Sequence, residues 1–458
     1  MGVRFSYPFL LGVEKEQEVP NVLLDSYRGR YDSFLASLRG NEYPQLDMPE
    51  KMLQDTPAIQ EALKGLAGET EEVVVVGIGG SSLGLAAIHS FLFGHLPYGH
   101  GGLVPAIKKR VRIVEMPTEE DISGILQQAN LERTRFVVIS KSGTTLETLL
   151  GLLSFLEPLR QAHGEAYIKD HFLFVTDPES SALLSFAKGV GARTFVIPNE
   201  IGGRFSILGS HMAVVFLGLL GLDAAPLFEG AINARKAVLS LSAESHVPFL
   251  LGSGVYQGLS RLSKSIWVMF AYGDALEGPM LWLRQLVSES LGKDGLGVTP
   301  LAVKGPSDQH SILQLLDDGP DDKIFTFFSL LPRTPKGEAL QRVPEEFRSF
   351  SFLKGKRLQE AWEALWQSSY LSLASKGKPV SWMGLEESTL EDLGAYFWTM
   401  EATVIYMGTL LGVNPFDQPA VERSKKLCRA LLGGSGLEAE QARIEELLGK
   451  HKTKSIEV

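Results

Sequence analysis

The densest cluster of chemically competent side chains is Ser140-Lys141-Ser142-Gly143-Thr144-Thr145-Leu146-Glu147-Thr148, five hydroxyls and one ammonium within nine residues. At the end of a strand and the start of a helix, such a run can cradle an anion, because free backbone N–H groups and the positive helix end add to the hydroxyls and the lysine. Helix capping accounts for one or two of the hydroxyls, but not for the cluster. A second loop, Gly77-Ile78-Gly79-Gly80-Ser81-Ser82-Leu83-Gly84, also joins a strand to a helix, and its glycines let backbone amides approach a ligand. Ser82 stands where a dinucleotide fingerprint needs glycine, and a Walker loop would end in Gly-Lys-Ser/Thr, so both familiar alternatives fail. Hydroxyls and a lysine without the magnesium carboxylates of a nucleotide site suit a dianionic monophosphate, which makes a sugar phosphate the leading ligand class.

Four further stretches carry groups suited to proton transfer. Gly202-Gly203-Arg204-Phe205-Ser206 sets a permanently charged guanidinium behind two glycines that permit close backbone approach. Within the helical stretch from Leu281 to Lys293, Gln285 and Glu289 fall one turn apart on one face, with Gly292 as the stop. Gly305-Pro306-Ser307-Asp308-Gln309-His310-Ser311 opens a helix after a strand, and a helix N-terminus disfavours imidazolium, keeping His310 available as a base. In Phe416-Asp417-Gln418-Pro419-Ala420-Val421-Glu422-Arg423-Ser424-Lys425, Asp417 suits an N-cap and Lys425 lies two turns inside the helix. Singly, each has an ordinary alternative: a surface arginine, a solvated helix-end carboxylate, a structural histidine. None of the nine histidines pairs at the four-residue spacing of a helical zinc site.

These side chains need a frame, and the chain supplies short β-branched and aromatic runs at Val73–Val76, Val111–Val114, Phe136–Ile139, Phe172–Val175 and Thr194–Ile197. Strands buried on both faces read this way. Helical stretches such as Leu83–Leu92 and Leu146–Leu159 separate them, giving the β-α-β alternation of a parallel sheet. The texture recurs at Ile266–Ala271, Val298–Val303, Ile324–Leu331 and Val380–Met383. The expected architecture is α/β, with two doubly wound, flavodoxin-like parallel-sheet domains and helical N- and C-terminal segments. The boundaries read as a helical segment over 1–70, a first α/β domain over 71–200, a second over 201–435, and a C-terminal helix and tail over 436–458.

Composition narrows the setting. At 458 residues, two domains are the natural expectation. A formal charge of −10 repels nucleic acid and anionic membranes at long range, so neither is expected as a partner. The single cysteine, Cys428, cannot form an intrachain disulfide and fits a reducing compartment; it reads as a small buried residue on a helix. Glu14, Lys15 and Glu16 cut off the apolar patch from Phe5 to Val13 before a signal core can form, and a cytoplasmic location is expected. The longest clean apolar run, Met212 to Leu222, is well short of the ~20 residues needed to cross a bilayer and reads as a buried helix.

The ordered motifs from Gly77 to Lys425 together resemble those of the phosphoglucose isomerase family, and the loop with Gly143 after Ser142 is similar to the family's shorter bacterial form. The family pattern usually has glycine where this chain has Ala420, although Gln418 and Lys425 keep their seven-residue separation. The resemblance implies two sugar-isomerase domains and an aldose–ketose isomerase of glycolysis and gluconeogenesis that uses no cofactor or metal. It would interconvert glucose 6-phosphate and fructose 6-phosphate. Ser81, Ser140, Lys141, Ser142, Thr144, Thr145 and Gln418 would hold the phosphate, Gly80 would be a further substrate-binding residue, and Gln285 would touch the substrate. His310 and Lys425 would open the ring, Glu289 would carry a proton between C2 and C1, and Arg204 would stabilise the cis-enediolate. The resemblance also implies a homodimer in which His310 crosses into the partner's site. Two other readings are an amino-sugar isomerase, which would share the phosphate loops but lack the Glu289, His310 and Lys425 set, and a non-catalytic sugar-phosphate sensor, against which that set argues.

Overall fold

The computed structural model describes residues 3–9, 19–97, 102–104, 107–179, 181–330, 337–386 and 388–450. Its strands are β1 (Val3–Phe9), β2 (Glu72–Val76), β3 (Gly102–Val104), β4 (Lys109–Val114), β5 (Thr134–Ser140), β6 (Phe172–Thr176), β7 (Arg193–Val196), β8 (Ile266–Tyr272), β9 (Thr299–Gly305), β10 (Lys323–Leu330) and β11 (Val380–Leu385). They form a six-stranded sheet, β3-β4-β2-β5-β6-β7, and a five-stranded sheet, β1-β11-β10-β8-β9. The inner pairings are parallel, as the uninterrupted apolar runs require.

Each sheet also has an antiparallel edge strand, β3 on β4 and β1 on β11, that the sequence reading did not contain. The segment expected to be helical over 1–70 does hold the helices Val19–Arg39 and Pro44–Glu69, but it opens with β1. Val3 pairs with Leu385 and Arg4 with Gly384, so the start of the chain belongs to the second sheet. The charged interruption at Glu14, Lys15 and Glu16, and the last residue of the expected strand ending at Leu331, lie outside the described residues.

The first sheet creates its own binding crevice. Val73 and Val75 of β2 enter the larger core, which also takes helix Leu83–Phe93, while Val74 and Val76 enter a second core with helix Leu146–His163. The chain thus leaves the neighbouring strands β2 and β5 toward opposite faces, and this opens a cleft at their carboxyl ends, where both anion loops lie. Helix Glu277–Leu291, which follows β8, runs the opposite way along Leu83–Phe93. Their contact needs glycine: a Cβ on Gly278 would stand 2.3 Å from Ser90 Oγ and 2.7 Å from the Ala86 carbonyl. Ser90 Oγ instead accepts the Gly278 amide at 3.1 Å. This close approach carries Gln285, two turns on, to the glycine loop of the first sheet, with Glu289 one turn beyond it.

Helix Met212–Leu220 is wholly buried, as its composition suggests, and no single described helix is long and apolar enough to cross a membrane. Cys428 lies on helix Pro419–Leu431 but is exposed, contrary to expectation, because that helix buries only Ala430. The C-terminal helix Glu438–Lys450 packs on it, through a Lys426–Glu440 ion pair at 2.7 Å and a bond from Gln441 Nε2 to the Ala430 carbonyl at 3.2 Å.

One core residue breaks the pattern. Glu401, inside helix Leu390–Leu411, is fully buried, and neither carboxyl oxygen has a hydrogen-bond partner among the described residues. Burial therefore pushes its pKa well above the usual 4.5. Below 4.5 both folded and unfolded chains hold the proton; above it only the folded chain does, so the group lowers stability by roughly 1 kcal/mol per pH unit until the folded chain also ionises. Glu401→Gln should thus gain stability over the parent as the pH of a denaturant titration rises from 4.5 to 8. A difference between the two chains that stays constant across that range would mean Glu401 is ionised in the fold.

Candidate active site

Arg204 is the hub. It lies in a 3₁₀ turn, Gly203–Phe205, and its side chain is 1% exposed. All five of its N–H groups have acceptors: Nε donates to Ser290 Oγ at 2.7 Å, one terminal nitrogen to Gln418 Oε1 at 2.7 Å and Glu289 Oε2 at 3.3 Å, and the other to the Pro415 carbonyl and, at 3.1 Å, to that of Asp417. Burial lowers the guanidinium pKa, and the charge of Glu289 opposes that shift. Glu289 Oε1 accepts from Gln285 Nε2 at 2.9 Å, so the two residues expected on one helical face do meet, and Gly292 does end their helix.

The glycine loop docks on this pair. A Cβ at Gly80 would sit 2.2 Å from the Gly203 carbonyl carbon, and one at Gly79 would sit 3.1 Å from Gln285 Nε2. Gly79 also has a φ of +60°, which favours glycine. Ser82, fully buried, donates to Glu115 Oε1 at 2.6 Å, which fixes the end of the loop against the end of β4.

The hydroxyl loop is internally ordered beside it. Ser140 Oγ donates to Thr145 Oγ1 at 3.1 Å and accepts the Gly143 amide at 3.1 Å, while Ser142 Oγ accepts from the Thr144 amide at 3.3 Å and from the Thr144 hydroxyl at 3.2 Å. Gly143, at φ +63°, passes so near Ser181 that a Cβ would clash at 2.7 Å. Lys141 Nζ donates to the Asn199 carbonyl at 2.7 Å, and its pKa is lowered by burial against the opposing pull of Asp177 and Glu200.

The turn at 414–418 is held by two buried cations. Besides Arg204, Lys293 donates to the carbonyls of Ser290 (2.9 Å) and Asn414 and ion-pairs with Asp417 Oδ1 at 3.1 Å. Asp417 is therefore not the helix cap that the sequence suggests; Gln418 occupies that position, without a side-chain capping bond. Ala420 is exposed, so its methyl group meets no packing cost here. Lys293, Ser290, Asn199 and Glu115 carry no signal in the sequence, since each acquires its role through a partner distant in the chain or through a backbone carbonyl.

Two expected catalytic side chains stand apart from this cluster. Lys425 is 57% exposed and pairs with Glu422 on its own helix at 2.6 Å. His310 is exposed at the end of a 3₁₀ turn, Ser307–His310, three residues before helix Leu313–Asp318, so it does not occupy the helix N-terminus expected for it. Gln309, beside it, donates to the Leu365 carbonyl at 3.2 Å and to Ser369 Oγ, which fastens the turn to helix Leu358–Ser375.

Two mainly parallel sheets thus place a glycine-rich and a hydroxyl-rich loop at one carboxyl edge, with a carboxylate–guanidinium pair beside the glycine loop. Residues 42–320 match the phosphoglucose isomerase family. A glucose-6-phosphate isomerase of Rubrobacter xylanophilus is 33% identical over 80% of this chain and 84% of its own length. One of Thermus thermophilus is 31% identical over 94% and 100%. The crystal structure of a hypothetical protein from Thermus thermophilus superposes with a TM-score of 0.81 at 29% identity, covering 94% of this chain and 100% of that one. That of a Chlamydia trachomatis glucose-6-phosphate isomerase shares the fold, with a TM-score of 0.77 at 20% identity over 98% and 92%. The chain belongs to the phosphoglucose isomerase family and is an enzyme that interconverts glucose 6-phosphate and fructose 6-phosphate.

Proposed function

We propose that the cluster of Arg204, Gln285, Glu289 and Gln418 is the catalytic centre of this isomerase, with the phosphate held by Ser81, Ser140, Lys141, Ser142, Thr144 and Thr145 beside Gly80. The observation that carries the reading is the Glu289–Arg204 contact at 3.3 Å, directly against the glycine loop. His310 and Lys425 move a proton from the C1 hydroxyl to the ring oxygen as the C1–O5 bond breaks, giving the open aldose. Glu289 takes the C2 proton, the C1=C2 bond forms, and negative charge grows on O1, where Arg204 stabilises it. Glu289 then returns the proton to C1 while C2–O2 becomes the ketone and the O2 proton passes to O1.

Because every N–H group of Arg204 already has an acceptor, the substrate oxygen must replace one of them. The Glu289 contact is the longest of the five, and its loss on binding frees the carboxylate to act as a base. In this reading Gln418, assigned to the phosphate from sequence, instead orients Arg204 before substrate arrives.

The active unit is a homodimer with His310 completing the partner's site. In support, the run Glu345–Leu353 and the helix that anchors the His310 turn expose Phe347, Phe350, Phe352, Leu358 and Trp362, apolar surface of the kind that marks contacts between chains. The enzyme works in the cytoplasm, as its lone thiol suggests, and its domains divide at about residue 200. A coupled assay that follows glucose 6-phosphate formed from fructose 6-phosphate tests the activity; turnover should persist in a chelator, and its absence sinks the reading.

Lys141→Ala should raise KM for fructose 6-phosphate by about 10–100-fold, the worth of one charged hydrogen bond to a dianion, with a smaller fall in kcat. An unchanged KM would move the phosphate site elsewhere.

A further inference from the structure

Helix Pro419–Leu431 turns three cations, Lys425, Lys426 and Arg429, toward a cleft of about 680 Å³ that also includes Leu146, at the start of the helix following the hydroxyl loop. Two of these charges are already neutralised, Lys425 by Glu422 at 2.6 Å and Lys426 by Glu440 at 2.7 Å. Arg429 has no carboxylate partner among the described residues. Its guanidinium reaches 285 positions back along the chain to donate one bond, at 3.2 Å, to the carbonyl of Thr144 inside the hydroxyl loop. A planar group with five donors is thus held at the loop by a single neutral acceptor, and a phosphate oxygen is a stronger one.

We propose that Arg429 is a further ligand of the substrate phosphate, exchanging the Thr144 carbonyl for phosphate oxygens when the sugar binds. The proposal rests on reading Ser140–Thr145 as the phosphate site. An unneutralised guanidinium at the cleft also counters the field of a chain with formal charge −10, which otherwise repels an incoming dianion.

The test compares wild type, Arg429→Met, Arg429→Lys and Lys141→Ala by steady-state kinetics with fructose 6-phosphate at low and high salt, using inorganic phosphate as competitive inhibitor. Arg429→Met should raise KM and the phosphate inhibition constant together by roughly tenfold, change kcat less than KM, and flatten the salt dependence of kcat/KM; Arg429→Lys should recover part of the loss. If Arg429→Met alters kcat or KM but leaves the phosphate inhibition constant unchanged while Lys141→Ala raises it, Arg429 only ties the helix down and the proposal fails. If neither variant moves that constant, the phosphate-site reading fails with it.

Discussion

Glu289→Gln will cut turnover by about 10²–10⁴, the range for loss of a positioned general base, while KM for fructose 6-phosphate changes little. The substitution keeps the side chain's length and one oxygen that can accept from Gln285 or Arg204, now at 2.9 and 3.3 Å, but an amide cannot take the C2 proton. The phosphate loops lie on separate elements and are untouched. Exchange of solvent tritium into C2 should disappear with turnover, because both report the same proton transfer. A variant with near-wild-type turnover would take the base role away from Glu289, and one with unchanged turnover but no exchange would point to a hydride path. Loss of phosphate binding as well would show that Glu289 instead holds Arg204 and the glycine loop in place.

How far the sequence alone reaches depends on how local each signal is. The parallel strands are legible because a strand buried on both faces favours an uninterrupted apolar run: Val73–Val76 divides its valines between the two cores that flank the sheet. β1 is not, since it is justified only by pairing with β11, hundreds of residues later. The pairing of Gln285 with Glu289 follows from helical spacing. The reason for Gly80 does not: its loop suggests amides freed for a ligand, whereas in the fold it makes room for the Gly203 backbone. Cys428 reads as buried because a free cysteine usually is, but no local pattern says that its helix buries only Ala430. Glu401 is visible in the sequence as a lone carboxylate in the apolar stretch from Tyr396 to Leu411, but it belongs to no motif.

Mixing inactive His310→Ala subunits with inactive Glu289→Gln subunits should restore activity to about one quarter of wild type. His310 projects from an exposed turn after β9, the edge strand of its sheet, and its ring has no hydrogen-bond partner among the described residues, while the Glu289–Arg204 cluster lies against the glycine loop of the other sheet. If the histidine acts in the partner's site, a hybrid dimer holds one site with Glu289 from one chain and His310 from the other, and a second site that lacks both. Random re-pairing makes about half the dimers hybrid, and half the sites in each are whole, which gives the quarter. The recovered activity should rise as subunits exchange and should not appear when either variant is incubated alone. Mixtures that stay inactive after exchange has been demonstrated with labelled subunits would place His310 in its own chain's site, and the exposed phenylalanines near it would then need a different explanation.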